Sequence, residues 1–143
     1  MSDMKSLENI FGFMHLLKRT MHAKVEELDL DLAPMHIRAM KIIEKHAPCT
    51  AVDIVNVLCR DKAQVTRLLK VLIDLELIEK QPNPEDKRSQ FLVITDNGKA
   101  QMARFKEIEQ EVIGQMTSGL SEQELDAFQA ITQKMATNLG KGI

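Results

Sequence analysis

Residues 61–74, Asp-Lys-Ala-Gln-Val-Thr-Arg-Leu-Leu-Lys-Val-Leu-Ile-Asp, decide the fold. Val65, Leu68, Leu69, Leu72 and Ile73 recur at i, i+3, i+4, i+7 and i+8, one stripe of an amphipathic helix. Asp61 stands where its carboxylate can accept the backbone N–H of Gln64, so the helix starts there. Upstream, Thr50 and Asp53 cap a short helix, Thr50 to about Leu58, which offers Val52, Ile54, Val55 and Leu58 to a core. Only a few residues separate the two helices. Downstream, Leu77 to Gln81 and Gln90 to Ile94 are short β-tolerant runs around the polar tip Pro82-Asn83-Pro84-Glu85-Asp86-Lys87-Arg88-Ser89. Two helices joined by a tight turn and followed at once by a hairpin read as a helix-turn-helix with a wing.

Further out, the pattern is helical on both sides. Apolar residues from Leu7 through Ile10, Phe11, Met14, Leu17, Met21 and Val25 to Leu28 predict a long first helix, broken by Asp29-Leu30-Asp31. Pro34 suits the first position of a second helix that carries Ile37, Met40, Ile42 and Ile43 inward and stops before Pro48. Thr95 opens a fifth helix towards Val112. Ser121 with Glu124 forms a capping box and Leu120 with Leu125 a hydrophobic staple, so a sixth helix follows and is expected to bury Leu125, Phe128, Ile131, Met135 and Leu139. The expected architecture is mainly α, a winged helix-turn-helix of helices plus a two-stranded β-hairpin. Residues 34–95 form the winged lobe, 96–112 a connecting helix, and 1–33 and 113–143 long terminal helices that make a dimerisation lobe. These terminal helices carry more apolar surface than one small lobe needs, which predicts a homodimer.

At 143 residues the chain fits one domain. With 44% hydrophobic and 28% charged residues it is neither disordered nor fibrous. No apolar run approaches the roughly 18–20 residues that span a bilayer, and the amino terminus does not read as a signal peptide, so a cytoplasmic location and no membrane partner are expected. The net charge is −2, yet residues 35–90 hold ten basic and eight acidic side chains between two acidic ends. A mildly basic centre is a weak footprint for a polyanion.

Cys49 and Cys59 fit structural thiols rather than a disulfide framework or zinc ribbon. His15, His22, His36 and His46 lack the paired spacing of a helical metal site, although His22 and Glu26 are four apart, so neither metal nor cofactor is expected. There is no nucleophile elbow, phosphate-binding glycine loop or metalloprotease motif, which argues against an enzyme. The nine methionines all lie in residues 1–40 and 102–135, the same end segments that hold Phe11, Phe13, Phe105 and Phe128. Such soft side chains suit a core or an adaptable pocket.

Successive 100° steps place Ala63, Arg67, Lys70 and Asp74 on the outward face of the helix at 62–74, flanked by Gln64 and Thr66. Arginine can pair with guanine, glutamine with adenine, and a small apolar group can meet a thymine methyl. Lys62, Ala63, Gln64, Thr66, Arg67 and Lys70 are therefore the candidate recognition-helix residues for duplex DNA, with Lys70 placed for a phosphate. Asp86, Lys87 and Arg88 are the candidate wing residues. A cation on a thin hairpin can enter the minor groove, and Asp86 is expected to hold the Arg88 guanidinium in place.

Val65-Thr66-Arg67-Leu68, Leu77-Ile78, Pro84-Glu85-Asp86-Lys87-Arg88, Ile94-Thr95-Asp96-Asn97-Gly98-Lys99 and Leu120-Ser121-Glu122-Gln123-Glu124-Leu125 occur in the order found in the MarR (multiple antibiotic resistance regulator) family. The chain resembles that family over nearly its whole length, and Asp-x-Arg is the family's wing signature. The resemblance implies an obligate homodimer built by the first, fifth and sixth helices. It also implies binding to pseudo-palindromic promoter DNA, often released when a small-molecule effector or an oxidant arrives. Two departures stand out. Glu76 replaces the family's glycine after the recognition helix, at a cost on the order of 1 kcal/mol if its backbone is left-handed. There is also no amino-terminal cysteine of the peroxide-sensing kind. The rival reading is a winged helix used for protein–protein contact.

Overall fold

The structure, a computed structural model, describes residues 2–28 and 32–140. The element order is α1 (Ser2–Glu26), α2 (Pro34–Lys45), α3 (Ala51–Leu58), α4 (Lys62–Asp74), β1 (Ile78–Pro82), β2 (Gln90–Ile94), α5 (Asp96–Met116) and α6 (Glu122–Leu139). The chain divides into two compact units, Met1–Glu109 and Gln110–Ile143. The expected break at Asp29-Leu30-Asp31 lies outside the described residues.

The first unit is organised around the winged helix. Thr50 caps α3 by accepting from the Asp53 backbone at 3.4 Å, and Asp53 returns the bond to the Thr50 backbone N–H at 2.8 Å. Asp61 caps α4 by accepting from the Gln64 backbone N–H at 2.8 Å. At α2 the cap is Ala33, whose N–H donates to His36 Nδ1 at 2.9 Å, a reciprocal bond that an Ala-Pro start conceals from sequence inspection. Ile37, Met40, Ile42 and Ile43 of α2 are buried with Val65, Leu69 and Leu72 of α4, Ile54 and Leu58 of α3, and Leu92 and Ile94 of β2. Each fully buried side chain of this size contributes about 1.5–3 kcal/mol. Leu68 and Ile73 are half-buried at the margins of the α4 stripe. Val52, expected in the core, is 63% exposed: α3 is only two turns long, and Ile54 and Leu58, four apart, already fill its inward stripe.

The hairpin is antiparallel, pairing Ile78 with Ile94, Lys80 with Leu92 and Pro82 with Gln90. Cys49 adds a bridge on the far side of β2, where the Leu92 N–H donates to its carbonyl at 2.8 Å. The hairpin is anchored at its base to the end of α4. The Thr95 hydroxyl donates to the Glu76 carbonyl at 2.6 Å and accepts the Gly98 N–H at 3.0 Å. A Cβ on Gly98 would stand 2.1 Å from the Leu77 carbonyl oxygen, so the glycine of the Thr-x-x-Gly run lets α5 start against the chain leaving α4.

Glu76 has φ of 59°, the left-handed backbone that the turn out of α4 requires. Glu76→Gly removes that strain and is expected to stabilise the protein by about 1 kcal/mol, raising Tm by roughly 2–4 °C in a thermal melt. An unchanged or lower Tm would mean that the Glu76 backbone is not strained.

The long terminal helices depart from the sequence expectation. On α1 only Val25 of the apolar series is buried; Leu7, Ile10, Phe11 and Met14 are exposed. On α6, Phe128, Ile131, Met135 and Leu139, all expected to be buried, are exposed at 52%, 56%, 44% and 91%, and Leu125 is half-buried. Their amphipathic spacing is real, but among the described residues nothing covers these side chains. The methionines and phenylalanines divide likewise. Met40 and Phe105 are core, whereas Met4, Phe11, Phe13, Met14 and Phe128 lie on exposed faces. The α5 helix runs a turn beyond the expected Val112, since Gly114 is tolerated within it, and the chain turns only at Gly119, where φ is 81°. Among the described residues no helix is long and apolar enough to cross a membrane.

Candidate nucleic-acid interface

The candidate interface is built on α4 and the hairpin. Lys62, Ala63, Gln64, Thr66, Arg67 and Lys70 are all exposed. They fall on two flanks. On one, Lys62, Thr66 and Lys70 line a groove of about 720 Å³ whose other wall is the wing, with Lys80, Lys87, Arg88 and Gln90. Five cations face this groove, and among the described residues that line it Asp74 is the single carboxylate. Lys70 Nζ lies 3.2 Å from Asp74 Oδ2, one turn along the helix. On the other flank, Gln64 and Arg67 share a shallower groove of about 320 Å³ with Met35, His36, Arg60 and Leu68. Ala63 lies on the outward ridge between the flanks.

The wing tip is fixed by its own backbone. Asp86 N–H donates to the Asn83 carbonyl at 3.3 Å, and Ser89 N–H to the Asp86 carbonyl at 3.2 Å. Asn83 Oδ1 accepts from the Glu85 N–H at 3.0 Å. Asp86 Oδ1 accepts the Arg88 backbone N–H at 2.9 Å. The carboxylate expected to grip the Arg88 guanidinium thus shapes the turn instead, a local side-chain-to-backbone bond of the kind aspartate favours two residues ahead. It fixes where the arginine starts and leaves the guanidinium out of that bond.

Two features escaped the sequence reading. Lys80 joins the cationic wall because it shares the face of Ile78 at a two-residue period, a signal that was available once Ile78 was placed inward. His36 of α2 reaches the second flank only through the packing of α2 against α4, which no local pattern encodes, whereas Arg60 stands there from the turn just before the α4 cap Asp61. His22 and Glu26, four apart on α1, are hydrogen-bonded to each other, Nε2 to Oε1, at 3.1 Å. Cys49 is buried, and burial together with Asp53 pushes its thiol up to about 11, which makes it a poor nucleophile near neutral pH. Cys59 is exposed and, at φ of 52°, turns the chain from α3 towards α4.

Residues 32–90, which contain α2, α3, α4 and the wing tip, match the model of the MarR family. The chain is 25% identical over 142 residues to the multiple antibiotic resistance protein MarR of Escherichia coli, covering 92% of this chain and 99% of that protein. It superposes on the crystal structure of the S. aureus MepR–DNA complex with a TM-score of 0.75, at 25% identity over 92% of this chain and 96% of that one. Over residues 32–90 the chain is thus similar to the MarR family. A MarR mutant from E. coli complexed with operator DNA has the same fold, with a TM-score of 0.74 at 23% identity over 93% of this chain and 95% of that one.

Proposed function

We propose that this chain is a MarR-family homodimeric transcriptional regulator that binds pseudo-palindromic double-stranded promoter DNA in the cytoplasm, as a repressor answering to a small-molecule effector. The observation that carries the reading is the groove between α4 and the wing. In a chain of net charge −2, five cations are gathered on the two elements of a winged helix that can touch adjacent grooves of one duplex. The net negative charge is therefore an average over a concentrated cationic patch and acidic ends. The exposed apolar faces of α1 and of α6, each within its own unit, support the dimer, since exposed apolar surface of this kind marks an association site.

Titration into duplex DNA at two salt concentrations tests the reading. Phosphate binding gives a log–log slope of about −0.9 per contact, whereas a protein-docking winged helix shows no dependence on duplex. Within the same assay Arg67→Ala is expected to remove about 1–3 kcal/mol of discrimination at one base pair per half-site, and Lys70→Ala to weaken all sequences alike. Equal loss on specific and random duplex for Arg67→Ala would place it among the phosphate contacts.

A further inference from the structure

Thr66 is exposed on the recognition helix, and its hydroxyl is already committed. The Oγ1–H donates to the Lys62 carbonyl one turn back at 2.8 Å, so the side chain has no free proton for a base. That bond also selects the rotamer, because a β-branched side chain bonded to the i−4 carbonyl is held at χ1. The oxygen keeps an acceptor lone pair, and the one other group that can meet a partner is the methyl. It lies one turn from the Ala63 methyl on the same side of α4, and the pair forms a small apolar spot among Lys62, Arg67 and Lys70. The spot is not part of the core, to which α4 contributes Val65, Leu69 and Leu72 from the opposite stripe. Thr66 also lines the groove shared with the wing cations, which puts it on the face that meets DNA. In the major groove one group is complementary to an exposed methyl between cations, the thymine 5-methyl.

We infer that Thr66 is a specificity-determining residue that selects thymine through methyl–methyl contact rather than through its hydroxyl. The inference rests on the DNA-binding reading. Its test uses the duplex that the wild-type full-length protein selects from a randomised library, with a random duplex as control. Thr66→Ser keeps the hydroxyl and removes the methyl; Thr66→Val keeps the methyl and removes the hydroxyl. Both changes are at an exposed position, and thermal melts check that each variant folds. Thr66→Ser is expected to bind the selected duplex about fivefold more weakly per half-site and the random duplex unchanged, with Thr66→Val close to wild type on both. Replacing one symmetry-related thymine pair by uracil costs the wild type the same factor and costs Thr66→Ser nothing.

Loss in Thr66→Val with Thr66→Ser intact would assign the reading to the hydroxyl and overturn the inference. So would wild-type affinity in both variants, or uracil substitution without effect at every thymine. Failure of the wild type to enrich any duplex would overturn the DNA-binding reading itself, an outcome distinct from enrichment followed by indifference to the methyl.

Discussion

Phe128→Glu on α6 is expected to leave a folded protein that is monomeric at micromolar concentration and binds operator DNA at least a hundredfold more weakly. Phe128 is 52% exposed within one chain, so a carboxylate there meets water in the monomer and the fold does not depend on it. In a two-fold dimer the same substitution occurs twice. Each copy forfeits about 1.5–3 kcal/mol of aromatic burial and leaves a charge to be desolvated without a partner. At 1.4 kcal/mol per decade, two copies lower the association constant by roughly two to four decades. Operator affinity follows, because two recognition helices address half-sites about one DNA turn apart only when they are held together. Phe11→Glu on α1, 62% exposed, should behave alike. Sedimentation velocity with an anisotropy titration checks both. A monomeric variant that keeps wild-type operator affinity would refute the dimeric architecture.

What could be read in the sequence followed the reach of the interactions involved. The capping carboxylates of α3 and α4 act within three residues, and Asp61 and Thr50 do what their spacing predicts. The inward stripe of α4 is set by a 3.6-residue period, and Val65, Leu69 and Leu72 are buried accordingly. The two strands and the polar tip were legible because turn residues are conformationally distinctive. The errors came from longer-range causes. Periodicity reports that Phe128 and Ile131 want cover but not which chain supplies it, and within one chain both are exposed. Val52 carries the right residue type for a core and the wrong angle on a two-turn helix. At the interface, the residue types on α4 and the wing were readable, whereas the groove that joins Lys62 and Lys70 to Lys80 and Arg88 is a product of tertiary packing.

Arg88→Ala is expected to be the most damaging single change in the wing. A cation contacting a phosphate or the minor groove contributes about 1.5–3 kcal/mol as a charged hydrogen bond, and the dimer has two wings. Operator affinity should fall by roughly two to four decades, with the salt slope shallower by about 0.9 for each phosphate contact removed. The partner substitution separates two roles for Asp86. A carboxylate that held the guanidinium would make Asp86→Asn weaken binding and have no effect once Arg88 is gone. The hydrogen bond found in the structure runs instead from the Arg88 backbone N–H to Asp86 Oδ1, at 2.9 Å, and an asparagine side chain presents the same acceptor. Asp86→Asn therefore keeps the turn, deletes a negative charge beside the duplex, and is expected to tighten binding severalfold in both the wild-type and the Arg88→Ala backgrounds. Asp86→Ala loses the acceptor, frees the tip, and should weaken binding because the arginine must then be ordered on docking. Mobility-shift titration of the four combinations of Asp86→Asn and Arg88→Ala decides the matter. Weakening by Asp86→Asn that vanishes in the double mutant would restore the guanidinium clamp, and additivity of the two changes would establish the backbone role.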